Sequence, residues 1–280
     1  MNRPALLALL LLPALGFACS DSRHTSEQPK NGAPQSTPAP KEIPAAPEPN
    51  YYRATVIRAL PHDNTCYTQG LEIHDGILYE TGGLLGRSSV RKIDMNSWKT
   101  LHITKLPPEV FGEGVTLLDG KLFVLTWRDG RCLMYDPKTL NLLGEMPYRG
   151  EGWGLCNDGE SLIMTNGTST ITFLSPTDFH VRRTISVFDK SRPLEMLNEV
   201  EYINGEIWAN VYQTDNIVRI NPQTGVINGW VDAADLLAEN DRNAGAEVLN
   251  GIAYDPKSKG VYLTGKYWPK LFEVGIAPVK

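Results

Sequence analysis

In FGEGVTLLDGKLFVLTW (Phe111 to Trp127) a single glutamate, Glu113, stands between two glycines at the head of an apolar run. A carboxyl set in apolar surroundings loses the hydration that favours its charged form. Its pKa then rises toward the range where one group can take a proton and give it back. Large rings and a cation occupy comparable places further along: Trp127 ends the same block, Tyr212 ends EIWANVY, and Lys266 ends VYLTGK. Each has an ordinary reading by itself. Glu113 would pair with Arg128 or Arg149 as a surface tie, an isolated Lys266 would be solvated, Trp127 and Trp153 would be packing residues, and Asn198 would cap a turn. What joins them into one chemistry is their position in a repeat.

Five segments align: YTQGLEIHDGILYETGG from Tyr67, FGEGVTLLDGKLFVLTW from Phe111, EGWGLCNDGESLIMTNG from Glu151, LNEVEYINGEIWANVYQ from Leu197 and LNGIAYDPKSKGVYLTGK from Leu249. Their starts lie 44, 40, 46 and 52 residues apart. Each holds a short strand, a turn built on Asp-Gly, Asn-Gly or a Pro-containing equivalent, and a second strand rich in β-branched and aromatic residues, which is a hairpin signal. A third strand follows in SSVRKIDMNS, RCLMYDPKTL, TITFLSPTDF, NIVRINPQTG and KLFEVG. A fourth follows in WKTLHITKL, NLLGEMPY, VRRTISVF and INGWVDA. About four strands per 40 to 50 residues is the signature of a propeller blade, so the fold expected is an all-β, five-bladed β-propeller over residues 51–280. The early strand YRATVIRALP is then free to serve as the outer strand of the last blade and close the ring. The alternative, a two-sheet sandwich, would not need a repeated start.

Innermost strands of such a ring line its axis. Gln69, Glu113, Trp153, Glu199 and Asn250 are therefore expected as a ring of equivalents, with Trp127, Tyr212 and Lys266 forming a second ring at the end of the next strand. Carboxylates, amides, aromatic rings and an ammonium at one mouth describe a pocket that grips a polar group beneath an aromatic wall.

Composition agrees with a folded chain. Of 280 residues, 41% are hydrophobic and 21% charged, with 25 glycines and 20 prolines, a balance suited to a buried core with many turns. A formal charge of -5 gives no footprint for nucleic acid. Residues 1–18 read as a signal peptide, with Arg3 ahead of an apolar run too short to span a bilayer. Cleavage before Cys19 would leave a cysteine able to carry a bacterial lipid. Between them, residues 19–50 form a Pro-rich tether with seven prolines from Ser20 to Asn50 and no apolar period. The protein is thus expected to be exported, as a periplasmic protein or an outer-membrane-anchored lipoprotein. Its membrane contact would come only through Cys19. Cys66, Cys132 and Cys156 lack CxxC spacing; one pair would bridge, or all three would be buried small hydrophobes. The five histidines form no HxxxH or HxH pair, so a His-built metal site is not expected.

The blocks YTQGL, FGEG, LTWRDG, EGWGL, LNEVEY, WANVYQTDNIVRI, NGIAYD and TGKYWPKLFEV recur in the order found in the glutaminyl-peptide cyclotransferases of the plant and bacterial type, which this chain resembles from about Tyr52 to Val274. The resemblance implies a five-bladed propeller acting on peptides or proteins with an N-terminal glutamine; a monomer is expected. It implies Glu113 as catalytic acid and base. Gln69, Trp127, Trp153, Asn198, Tyr212 and Lys266 would line the substrate pocket, with Phe111 and Tyr67 as apolar walls. Tyr67 stands where a phenylalanine is usual and Tyr212 where a tryptophan is. Both keep an aromatic face, so the departures bear on specificity. No cofactor is implied, although plant members can hold a calcium ion in the axial channel; nothing else in this sequence calls for one. Two other functions compete: a metal-dependent propeller lactonase or hydrolase using Glu113, Glu199, Asn198 and Asn250 as hard oxygen ligands, and a non-catalytic propeller that binds exported peptides.

Overall fold

Hairpin turns set the strand boundaries. Asp75-Gly76, Asp119-Gly120 and Asn204-Gly205 all have positive φ at both residues (49° and 79°, 50° and 71°, 50° and 87°). That backbone twist matches two antiparallel strands joined by two residues. The next turn is also a repeated device. Asp94 accepts the backbone N–H groups of Asn96 and Ser97, Asp136 those of Lys138 and Thr139, and Asn221 those of Gln223 and Thr224.

The computed structural model describes residues 48–279. Strand β1 (Asn50–Pro61) comes first. Three four-stranded antiparallel sheets follow in chain order. The first contains β2 (Thr68–His74), β3 (Ile77–Gly82), β4 (Ser89–Asp94) and β5 (Lys99–Lys105). The second contains β6 (Gly112–Leu118), β7 (Lys121–Thr126), β8 (Arg131–Tyr135) and β9 (Leu142–Pro147). The third contains β10 (Leu155–Asn157), β11 (Leu162–Met164), β12 (Thr170–Leu174) and β13 (Val181–Ser186). After a small hairpin, β14 (Phe188–Asp189) with β15 (Arg192–Pro193), come β16 (Leu197–Ile203), β17 (Glu206–Val211), β18 (Asn216–Ile220) and β19 (Ile227–Asp232). The short helix α1 (Glu239–Asn243) leads to β20 (Leu249–Asp255), β21 (Gly260–Gly265) and β22 (Lys270–Pro278).

The early strand closes the last unit as expected: β1 runs antiparallel to β22, from Tyr52 opposite Pro278 to Pro61 opposite Lys270. It also does something the repeat does not announce. Residues 50–53 pair parallel with β19, which merges the last two units into one sheet of order β16-β17-β18-β19-β1-β22-β21-β20.

Burial grades across each unit. First strands β2, β6, β16 and β20 are buried at nearly every position, whereas the fourth strands β5, β9 and β13 are mostly exposed. Five apolar cores lie between neighbouring units. Val90 packs with Val115 and Leu133, Leu125 with Leu162, Phe173 with Val218, Ile217 with Leu263, and Ala253 with Leu71, the last joining the final unit to the first. The first strands touch in the same cyclic order, β2 to β6, β6 to β10, β10 to β16, β16 to β20 and β20 to β2. Glycine makes this approach feasible: a Cβ on Gly114 would collide with the backbone of Gly154 and Leu155, and one on Gly154 with that of Asn198 and Glu199.

Candidate active site

Register shifts at the head of the first strands aim side chains into one space. One extra residue enters the ladder between Thr68 and Gly70, between Gly112 and Val115, between Leu197 and Val200, and between Leu249 and Ile252. Gln69, Glu113, Asn198 and Asn250 sit in these bulges, where the pleat no longer dictates which face a side chain takes. The second strand of each hairpin returns to the same end, bringing Trp127, Tyr212 and Lys266 just past β7, β17 and β21. As a result all nine expected residues, Tyr67, Gln69, Phe111, Glu113, Trp127, Trp153, Asn198, Tyr212 and Lys266, line a single open-mouthed cavity of about 200 Å³.

Two members of the expected inner ring, Glu199 and Asn250, do not line the cavity. Glu199 does not face this cavity; Asn198 holds the equivalent place and Glu199 takes the slot that glycine fills in the neighbouring strands. The Glu199 carboxylate instead accepts the backbone N–H groups of Leu71 (3.2 Å) and Ile252 (2.8 Å), tying three first strands together. Asn250 lies behind the cavity wall. Its amide donates to the Thr68 carbonyl (2.9 Å) and to Gln69 Oε1 (3.3 Å). The reading of Glu113 as an ion-pair tie between blades also fails: Glu113 is buried with Oε2 unpartnered, and Arg128 pairs with Glu151 instead, at 2.9 Å.

Glu113 and Lys266 are 4% and 2% exposed. Burial pushes the Glu113 carboxyl well above the usual carboxylate range; Lys266 opposes that rise, Glu151 adds to it, and the Gln69 amide opposes it by hydrogen bonding. Burial likewise lowers the Lys266 ammonium to about 8, against the pull of Glu113. Lys266 Nζ donates to Gln69 Oε1 and stands 4.3 Å from the Tyr67 ring centroid. With Lys266 and Asn250 both donating to Gln69 Oε1, the Gln69 NH₂ is left to face Glu113. Two acceptors in the cavity wall have no partner, Glu113 Oε2 and Asn198 Oδ1. An unpaired buried acceptor costs about 1–3 kcal/mol, which a ligand bearing N–H groups would recover.

The rings form two edge-to-face sets. Phe111 meets Tyr67 (6.2 Å) and Trp127 (5.6 Å), and Trp153 meets Tyr212 (5.8 Å). Sequence reasoning passed over Glu151. Its Oε2 accepts the indole N–H of Trp127 (2.8 Å) and of Trp153 (3.0 Å). The signal was present, because in the aligned repeats Glu151 occupies the slot that holds Tyr67 and Phe111, a carboxylate where the neighbours carry a ring.

For an axial calcium of the kind plant members can hold, the donor set is poor. No cluster of three or more His, Cys, Asp or Glu side chains suited to a metal occurs among the described residues. Glu72 accepts from the Thr116 hydroxyl (2.7 Å), Glu199 is bonded as above, and only Glu201 Oε2 lacks a partner. These side chains do not make a calcium cage. Cys66, Cys132 and Cys156 are buried free thiols rather than a bridge and a spare. Cys19, the signal segment and the tether up to residue 47 lie outside the described residues.

Comparison with known proteins agrees with this geometry. The family model for glutamine cyclotransferase matches residues 31–276. Glutaminyl-peptide cyclotransferase of Arabidopsis thaliana is 39% identical over 228 residues, covering 78% of this chain and 70% of the relative. The crystal structure of Myxococcus xanthus glutaminyl cyclase matches with a TM-score of 0.78 at 33% identity, over 83% of this chain and 100% of that one.

Proposed function

The chain belongs to the glutamine cyclotransferase family and has glutaminyl-peptide cyclotransferase activity, and from that premise we propose how its residues carry the reaction. The neutral α-amine of an N-terminal glutamine attacks the carbon of its own side-chain amide. A C–N bond forms, the carbonyl oxygen takes up negative charge, and Glu113 receives a proton from the attacking nitrogen. Glu113 then returns that proton to the amide nitrogen as the old C–N bond breaks, the carbonyl reforms, and ammonia leaves a pyroglutamyl peptide behind. Nucleophile and electrophile belong to one residue, so holding the side chain folded is a large share of the task. Trp127, Trp153 and Tyr212 form the walls that fold it. Lys266 stabilises the oxyanion, while Asn198 Oδ1 and the Gln69 amide bind the substrate's polar atoms. Phe111 and Tyr67 complete the dry side of the pocket.

A single observation supports this reading: Glu113 and Asn198, each with a buried oxygen that has no hydrogen-bond partner, line an aromatic cavity together with Lys266. A ligand with N–H donors and one carbonyl complements that set. The experiment is ammonia release from a Gln-initiated dipeptide amide, with and without chelator, by the parent and Glu113→Gln. Chelator-resistant release by the parent and its loss in the variant are expected. Near-parent release by Glu113→Gln would refute the role of Glu113.

We read the architecture as a five-bladed propeller. In support of this are the five inter-unit cores, the cyclic contact of β2, β6, β10, β16 and β20, and the likeness to the Myxococcus enzyme. We read residues 1–18 as an export signal that delivers the enzyme to the periplasm, either free or anchored through a lipid on Cys19, with residues 19–50 as a Pro-rich tether.

A further inference from the structure

An indole N–H can only donate. Trp127 follows β7 and Trp153 precedes β10, so they come from different sheets, yet both direct their N–H at the same oxygen, Glu151 Oε2. Two donors on one oxygen fix the two rings relative to each other as well as to the backbone. The other oxygen, Oε1, accepts from Arg128 Nε at 2.9 Å, and the Arg128 guanidinium lies 3.7 Å over the Trp127 ring. Trp127 is thus held from its edge by Glu151 and from its face by Arg128. Glu151 and Arg128 side chains are 36% and 64% exposed, so neither fills the core. What they hold is the pair of rings on the cavity wall.

We propose that Glu151 is a positioning residue, which sets the separation and tilt of Trp127 and Trp153 so that the substrate's glutamine side chain folds between them. This rests on the activity read above. Glu151 also places a second negative charge near Glu113. The groups close enough to act on Glu113 are Lys266, Glu151, the Gln69 amide, and the Tyr67 and Tyr148 hydroxyls, the last of which donates to the Thr126 carbonyl. Among these Glu151 is the anion, held ionised by the Trp153 indole, Arg128 and the Trp127 indole. Its charge disfavours ionised Glu113 and so moves the proton exchange of Glu113 to higher pH.

The test compares the parent with Glu151→Ala and Glu151→Gln, reading kcat and KM for ammonia release from a Gln-initiated dipeptide amide, the pH profile of kcat/KM, and acrylamide quenching of tryptophan fluorescence. Glu151→Ala is expected to lose tenfold or more in kcat/KM and to quench more readily. Glu151→Gln keeps an acceptor for the indoles, so it should recover most of that loss, while in both variants the acidic limb moves to lower pH. A merely structural role would move neither the limb nor the quenching of the folded protein. The proposal is overturned if folded Glu151→Ala stays within twofold of the parent, or if Glu151→Gln is as impaired as Glu151→Ala with parent-like quenching. If Glu151→Ala fails to fold, Glu151→Gln alone decides, by its limb and its rate. A parent that releases no ammonia overturns the activity reading and this inference together, an outcome distinct from a loss confined to the Glu151 variants.

Discussion

Burial acts on Glu113 and Lys266 in opposite directions, lifting the pKa of the acid well above the usual carboxylate range and lowering that of the base to about 8. Activity should therefore be bell-shaped in pH. The acidic limb reflects protonated Glu113 and the substrate ammonium, and the basic limb loss of the Lys266 charge at about 8. Lys266→Met is expected to flatten the basic limb and to lower kcat about 10²- to 10³-fold, as for removal of one oxyanion donor. A profile of Lys266→Met that matches the parent's would remove Lys266 from that role. Glu113 carries a stability cost with the same origin. A carboxyl whose folded pKa lies above its ordinary 4.5 favours the fold while protonated, and that favour is lost as pH rises from 4.5 through the folded value. Glu113→Gln should then be more stable than the parent by about 1–3 kcal/mol at alkaline pH, with less gain at pH 4. Denaturant melts at the two pH values read this directly, and an equal gain at both would contradict it.

Elements position these residues through a buried polar staple behind the cavity. His62, just after β1, places Nδ1 2.6 Å from the Trp268 carbonyl and Nε2 2.8 Å from Glu80 on β3. Both partners only accept, so the ring carries two protons. Glu80 also accepts from the Thr68 hydroxyl (2.8 Å), between Tyr67 and Gln69, while Trp268 lies two residues beyond Lys266. The staple therefore fixes two lips of the cavity at once. Burial works against the His62 charge, but Glu80 and the Trp268 carbonyl outweigh it and raise the pKa. Burial likewise works against Glu80, yet His62 and Arg91 hold it at about 2. The His62 contribution is full below its ordinary 6.5 and fades as pH rises through the raised value; that of Glu80 is full above 4.5 and fades as pH falls toward 2. His62→Ala should cost about 3–5 kcal/mol in mild acid. The gap to the parent should narrow in alkali, and melts in which the gap widens with pH would exclude this account.

At the scale of the whole molecule, closure depends on β1. It covers the edge of β22 along its length and meets β19 at residues 50–53, so removing residues 1–61 bares both. Exposed edges of this kind recruit other chains. A chain starting at His62 should lose the parent's cooperative melt and sediment as aggregates. A monodisperse truncated protein with the parent's Tm would show that the remaining sheets hold without it.

Local chemistry was written in the chain. Asp75-Gly76, Asp119-Gly120 and Asn204-Gly205 enforce their hairpins because few other pairs tolerate positive φ at both residues. The repeat phase then puts Gln69, Glu113 and Lys266 at one end of the strands, whereas Asn198 was marked only by the family resemblance. Asp158-Gly159 shows the limit of such signals: β10 and β11 stop at Asn157 and start again at Leu162, leaving a four-residue loop where Asp158 accepts the N–H groups of Glu160 and Ser161. Asn198 and Glu199 compete for one bulge, and which of them faces the cavity depends on how closely β10 and β16 approach, a distance no local pattern encodes. The parallel pairing of β1 with β19, the staple of His62 to Trp268 and the two indoles on Glu151 join residues far apart in the chain or on different sheets. Turn chemistry and periodicity act over a few residues and so were fixed by sequence alone, whereas these partnerships exist only once the sheets are packed and each buried donor must find whatever acceptor lies within reach.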